Sequence, residues 1–194
     1  MKHIIIILGF IFILISCKDT LPIEDNFGNN EYKLLTQDSV RVNFPQMIKG
    51  KISVVGYIFT NCPDICPLTT NNMRLVQQEL NKENINDVNF VSISFDPDAD
   101  TPAVLKKYAE LRKLDTSNWT FLTGEKPVIK MLMKDANIVA VVGDSTVIDG
   151  KTTYFYVHTD RISLIDADGN IRKNYQGSKA NVSEIVKDLK TLID

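Results

Sequence analysis

The sequence predicts an α/β fold with a mixed central sheet flanked by helices and extended by β-hairpins. In the first half, apolar segments typical of buried strands alternate with segments that have helical periodicity. In the second half, two pairs of strand-like segments flank the turns Asp149-Gly150 and Asp168-Gly169, and an amphipathic helix closes the chain. The alternating half predicts parallel strands and the hairpins add antiparallel ones, so the sheet is expected to be mixed.

The predicted elements begin at about residue 36. Residues 52–59 are rich in β-branched and aromatic side chains and predict a buried strand. The helix after it, at 68–80, has its candidate apolar positions at Leu68, Met73, Leu75, Val76 and Leu80. The other predicted elements are strands at 88–95, 119–122, 138–142, 152–157, 162–165 and 171–175, and helices at 102–114, 128–136 and 182–193.

The first sixteen residues have the pattern of a bacterial lipoprotein signal peptide. Lys2 and His3 precede an apolar run over residues 4–15, which as a helix would span only about 18 Å of a hydrocarbon core of about 30 Å. The run ends Leu14-Ile15-Ser16-Cys17, which resembles a lipobox and implies cleavage before Cys17 and acylation of that residue. An ordinary secretory signal and a short uncleaved anchor are the alternatives. We therefore expect a signal peptide at 1–16, lipidated Cys17 with a polar tether at 17–35, and one domain at 36–194.

Composition argues against nucleic-acid binding and limits the residues available for metal or thiol chemistry. The chain is 44% hydrophobic and 24% charged, as in globular proteins, and its formal net charge of −2 gives no basic surface for nucleic acid. After cleavage and acylation, the remaining thiols and imidazole are those of Cys62, Cys66 and His158. Soft-ligand or thiol chemistry must therefore use these three residues.

The two cysteines lie in Cys62-Pro63-Asp64-Ile65-Cys66-Pro67, between a predicted strand and the helix that follows. Pro67 suits the first turn of a helix, and a spacing of four lets both sulfurs share one face. The positive end of the helix dipole favours thiolate, the form that binds metals and attacks disulfides. Three interpretations compete: a structural disulfide, a redox pair, and a metal site completed by His158.

The available ligands favour copper over structural zinc. A structural zinc site needs four nitrogen or sulfur ligands, whereas two thiolates and one imidazole suit copper, whose cuprous form prefers soft, low-coordinate sites. Asp64 or a backbone carbonyl could add a weak ligand. A lone histidine is more commonly a surface or core residue, so the residue types alone leave the role of His158 open.

Asp96, Asp98 and Asp100 begin like a calcium-binding loop, but the pattern fails. Its sixth position is Thr101 where glycine is needed, and its twelfth is Lys107 where glutamate is needed. We interpret the segment as a turn after a strand, with Asp100 or Thr101 capping the helix that begins at Pro102.

Three blocks together resemble the Sco/SenC proteins over about residues 36–194. Cys62-Pro63-Asp64-Ile65-Cys66-Pro67 is similar to their CPxxCP signature, and residues 96–102 (DPDADTP) to their DPxxDTP segment. Val157-His158-Thr159 and the hairpin sequence at 164–169 (LIDADG) resemble their histidine block. The resemblance implies a thioredoxin-like fold in which Cys62, Cys66 and His158 bind one copper ion, as Cu(I) or Cu(II).

The resemblance also implies a carrier, not an enzyme, facing the periplasm from a membrane. Its expected partners are the copper-accepting subunit of cytochrome c oxidase, whose dinuclear centre it would load or reduce, and other copper or thiol carriers. Val157 stands where some members have an acidic residue, and lipid replaces the membrane helix of most members. The alternatives are a membrane-anchored thiol–disulfide oxidoreductase using Cys62 and Cys66, and a copper or redox sensor.

Overall fold

An eight-stranded mixed sheet forms the centre of the fold in a computed structural model, which describes residues 21–148 and 151–193. The signal peptide, Cys17 and the turn Asp149-Gly150 lie outside the described residues. The strands are β1 Asp25–Asn26, β2 Tyr32–Thr36, β3 Arg41–Phe44, β4 Ile52–Ile58, β5 Val88–Ser94, β6 Trp119–Gly124, β7 Ala140–Ile148, β8 Lys151–His158, β9 Ile162–Ile165 and β10 Asn170–Tyr175. The helices are α1 Ile65–Lys82, α2 Pro102–Leu111, α3 Lys126–Asp135 and α4 Val182–Ile193.

The sheet has the order β1-β10-β9-β4-β5-β6-β2-β3. β4, β5 and β6 are parallel neighbours, as the alternating first half of the sequence predicts. β9 and β10 extend the sheet antiparallel on one side, and β2 and β3 do so on the other. The predicted mixed sheet of thioredoxin-like type is confirmed.

The central strands are apolar because helices cover them. In β4, every residue from Ser53 to Ile58 is buried, a continuous run that suits a strand covered on both faces. α1 and α4 contact each other and β4, whereas α2 contacts β6 and α3 contacts β2 and β6. The largest fully buried side chains are those of Trp119, Tyr32, Tyr57, Phe44, Phe59, Phe90 and Phe121.

The predicted helices are all present; α4 has the predicted bounds, and the other three differ by one to three residues at one or both ends. α1 begins at Ile65, three residues earlier than predicted, and its buried face is built from Cys66, Thr69, Thr70, Met73, Val76, Gln77 and Leu80. Leu68, predicted as a candidate apolar position, is 48% exposed because it lies outside this buried face. No helix among the described residues is long and apolar enough to cross a membrane.

The tether predicted at residues 17–35 is wrong in its second half. Phe27 and Tyr32 are buried, and β2 pairs with both β3 and β6. The ring of Phe27 packs edge-on against that of Phe44, at a centroid distance of 5.0 Å. The folded domain therefore begins well before residue 36, because these short strands complete one side of the sheet.

The β7–β8 hairpin forms a separate two-stranded sheet. Its register pairs Ala140 with His158 and Val142 with Tyr156. Both strands are longer than the sequence pattern predicts. The hairpin matters for function because His158 is the last residue of β8.

Candidate metal centre

Cys62 and Cys66 lie where the chain passes from β4 into α1. The side chain of Asp64, the residue before the helix, makes no capping hydrogen bond. Instead, the backbone N–H of Cys66 donates to Sγ of Cys62 at 3.4 Å, so the sulfur accepts from one of the otherwise unpaired N–H groups of the first turn. Both cysteines are buried and their sulfurs are not bonded to each other.

His158 completes a group of three ligand atoms. Its Nε2 lies 3.8 Å from Sγ of Cys66, and the ligand atoms of Cys62, Cys66 and His158 all lie within 4.8 Å of one another. Three ligand atoms bound at about 2.0–2.3 Å around one ion lie about 3.5–4 Å apart. The contact between Cys66 and His158 already has this spacing, and the other pairs need a closure of at most about 1 Å. Among the residues described, no other cluster of three or more His, Cys, Asp or Glu side chains has metal-binding spacing.

The imidazole of His158 is oriented for coordination through Nε2. Its Nδ1 lies 3.1 Å from the carbonyl oxygen of Thr159. A carbonyl can only accept, so Nδ1 carries the hydrogen and the lone pair of the neutral ring is on Nε2. The rings of Phe95 and Phe59 pack against the imidazole at centroid distances of 4.9 Å and 6.0 Å.

The two thiols differ strongly in acidity. Hydrogen bonding from the Cys66 thiol lowers the pKa of Cys62, against the opposing effect of burial, and His158 lowers it further. The same hydrogen bond, together with burial, raises the pKa of Cys66. The first proton to leave the pair is therefore that of Cys62. Burial favours neutral His158, but the neighbouring Cys62 sulfur and the carbonyl of Thr159 outweigh burial and raise the pKa of His158.

Two buried carboxylates from the segment after β5 hold the two halves of the site. Asp100 accepts hydrogen bonds from Ser94 and from the backbone N–H and hydroxyl of Thr60, two residues before Cys62. Burial raises the pKa of Asp100, although these hydrogen bonds oppose the shift. Asp96 accepts from the hydroxyls of two hairpin tyrosines, Tyr154 at 2.7 Å and Tyr156 at 3.4 Å.

The sequence pattern did not predict these hydrogen bonds to Asp96 and Asp100. It predicted only a turn and a cap, and of the two cap candidates Thr101 is the one that accepts from the backbone N–H of Val104. Asp100 faces inward and is fully buried. The signal that was available is the placement of the acidic residues directly after a buried strand, at the same edge of the sheet as the cysteines.

Comparison with known proteins places this arrangement in a family. Residues 22–194 match the SCO1/SenC family model. The chain belongs to the SCO1/SenC family. The match includes residues 22–35, in agreement with the strands found there.

Solved structures of SCO1/SenC relatives share the fold over most of their length. A SCO1/SenC family lipoprotein from Bacillus anthracis is 32% identical to this chain, with a TM-score of 0.73. The match covers 85% of this chain and 94% of that chain. Bradyrhizobium japonicum ScoI with copper bound is 28% identical, with a TM-score of 0.71 and coverage of 84% and 98%. BsSco, a member of the Sco family of cytochrome c oxidase assembly proteins with an identified disulfide switch, is 31% identical, with a TM-score of 0.70 and coverage of 89% and 97%.

The predicted site residues of this SCO1/SenC chain differ in where the structure places them. The structure brings Cys62, Cys66 and His158 together. Asp64, considered as a weak fourth ligand, is exposed and is not part of that group. Cys17 lies outside the described residues.

Proposed function

We propose that this chain is a copper carrier that binds one copper ion through Cys62, Cys66 and His158. The observation that carries the proposal is the placement of two thiol sulfurs and one imidazole nitrogen within 4.8 Å of one another. The donor set suits both oxidation states, since thiolates favour Cu(I) and an added nitrogen is what Cu(II) requires. A copper-bound structure of the relative ScoI supports the same choice of metal.

We further propose that the copper acceptor is the dinuclear copper centre of cytochrome c oxidase. BsSco, the relative described above, belongs to a family of cytochrome c oxidase assembly proteins. A carrier must let an acceptor reach its metal, and the residues bordering the centre are exposed, including Asn61, Pro63 and Asp64. Val157, next to His158, is 64% exposed, and Val141, its partner in the hairpin, is 54% exposed. These apolar side chains suit contact with a partner protein.

The test is oxidase assembly in cells that lack the native protein. A His158→Ala variant should fail to restore cytochrome c oxidase activity, because the cupric form loses its nitrogen ligand. Val40→Ala is the matched control, since it shortens an exposed valine between β2 and β3 that is neither a ligand nor part of the Val141–Val157 pair, and it should restore activity. Full restoration of oxidase activity by His158→Ala would refute the carrier function.

Thiol–disulfide exchange is the second candidate, because the lowered pKa of Cys62 makes it a nucleophile beside a resolving thiol. The Cys62 thiolate would attack a partner disulfide, and Cys66 would then displace the partner thiol. The partner gains two electrons and this chain ends with a Cys62–Cys66 disulfide. This reaction does not need the imidazole as a metal ligand, so restoration of oxidase activity by His158→Ala would favour it.

We also propose that Cys17 anchors the chain to a membrane through lipid, with the domain on the extracytoplasmic side. The lipobox-like end of the apolar leader supports this, as does the B. anthracis relative, a lipoprotein. Mass spectrometry of the membrane-extracted chain should find an acylated Cys17 as the first residue. Detection of the chain with an intact Met1 would refute the proposal, and Cys17→Ser, which removes the thiol for acylation, is the control.

A further inference from the structure

The position of His158 relative to the cysteines depends on contacts outside the main sheet. The hairpin that carries His158 pairs only with itself among the described strands, whereas Cys66 lies in the first turn of α1. Besides the hydrogen bonds of the hairpin tyrosines to Asp96, the spacing between thiol and imidazole therefore depends on what joins α1 to the chain that leaves β8.

One side-chain hydrogen bond makes that connection. The hydroxyl of Thr69 lies 2.9 Å from Oδ1 of Asp160 and 3.1 Å from the carbonyl oxygen of Ile65, and its one hydrogen is donated to the closer, carboxylate oxygen. Thr69 is three residues after Cys66, on the same helix face, and Asp160 is two residues after His158. Apart from the Cys66–His158 contact itself, it is the one side-chain to side-chain hydrogen bond between α1 and residues 158–161 in the part of the chain that the structure describes.

The Asp160 carboxylate is fixed from its other side by a short helical turn at Gly177–Lys179. Ser178 donates to Asp160 from its backbone N–H at 3.0 Å and from its hydroxyl at 2.6 Å. Gly177 fits against both members of the pair: a Cβ there would lie 2.6 Å from Oδ1 of Asp160 and 2.8 Å from Oγ1 of Thr69. These contacts leave the carboxylate little freedom, so the Thr69–Asp160 bond holds α1 and the end of β8 at a defined separation.

We propose that Thr69 and Asp160 are positioning residues that set the Cys66–His158 spacing and thereby stabilise the cupric form of the centre. The inference rests on the proposed copper function. Cys62 and Cys66 lie within one short segment and can hold cuprous ion without the imidazole, whereas cupric ion needs the nitrogen. Loss of the bond should therefore weaken Cu(II) binding selectively.

The experiment measures Cu(II) and Cu(I) affinities of the full chain in detergent, each against a competing chelator. Thr69→Val removes the hydroxyl while keeping the shape of the side chain, and should lower Cu(II) affinity about 10- to 100-fold, the range for loss of an outer-shell partner. Cu(I) affinity should stay within about twofold. Thr69→Ser keeps the hydroxyl and should bind Cu(II) like the wild type.

Asn72→Ala is the matched control for general loosening of α1. Asn72 donates to the carbonyl of Gly177 at 2.8 Å, so it joins the same helix to the same turn without touching Asp160. Its loss should leave Cu(II) affinity unchanged. An equal loss in Asn72→Ala and Thr69→Val, or wild-type Cu(II) affinity in Thr69→Val, would overturn the proposal.

A second variant decides the matter if Thr69→Val does not fold. Asp160→Ala removes both accepting oxygens, so neither Thr69 nor Ser178 keeps its partner there. Selective loss of Cu(II) affinity in Asp160→Ala supports the proposal, and unchanged affinity overturns it. Absence of copper binding by the wild-type chain would instead refute the proposed function, so the two failures are distinguishable.

Discussion

Tyr154→Phe tests how the histidine hairpin is attached to the domain. The Tyr154 hydroxyl donates to Asp96 at 2.7 Å, and Asp96 is 1% exposed, so water cannot replace the lost donor. A hydrogen bond to a charged group contributes about 1.5–3 kcal/mol, and we expect the variant to lose about that much free energy of unfolding. The aromatic ring is retained, so the change isolates the hydrogen bond.

Tyr156→Phe is the matched control because its hydroxyl reaches the other oxygen of the same carboxylate at 3.4 Å. The longer contact should contribute less than about 1 kcal/mol. Urea denaturation of the full chain in detergent measures both variants, and the midpoint should fall with an unchanged slope. A cost for Tyr156→Phe equal to that for Tyr154→Phe, or no measurable cost for Tyr154→Phe, would refute this account of the attachment.

Two further predictions follow from the altered acidities. Burial raises the pKa of Asp100 above its ordinary value of 3.8, so this group favours folding most at low pH, and its contribution falls as pH rises through the raised pKa. Asp100→Asn should therefore gain stability relative to wild type in urea unfolding as pH rises from the ordinary pKa of aspartate through the raised pKa of Asp100; parallel pH profiles would contradict this. Because the Cys66 thiol is the larger cause of the low pKa of Cys62, Cys66→Ala should raise that pKa more than His158→Ala does. Thiolate absorbance followed against pH gives the order, and the reverse order would show that the imidazole dominates.

The central strands and helices could be predicted because each is marked by a continuous stretch of residues with a pattern of its own. The continuous apolar run of β4 and the helical period of α4 each identify an element without tertiary information. β2 was missed because it is only five residues long and follows the turn-forming Gly28-Asn29-Asn30. Its alternating burial, with Tyr32, Leu34 and Thr36 inward, is a strand signal, but pairing with β6 across a long separation is what makes it stable.

The ligands of the candidate site could be predicted from the sequence, but the hydrogen bonds that position them could not. The cysteine spacing marks a reactive pair from sequence alone, whereas the part played by His158 followed from family resemblance, since 92 residues separate it from Cys66. The Thr69–Asp160 bond has no sequence signature, because a threonine on an apolar helix face and an aspartate in a loop are each ordinary. Only the folded arrangement shows that they meet.

The most direct measurement of the central claim is a titration of the fully reduced chain with cuprous ion against a competing chelator. The account predicts one tightly bound ion per chain, and loss of tight binding once Cys62 and Cys66 are oxidised to a disulfide, because disulfide sulfur is a poor ligand. Equal affinity of the reduced and oxidised chains, or full retention of binding in Cys62→Ser, would contradict it.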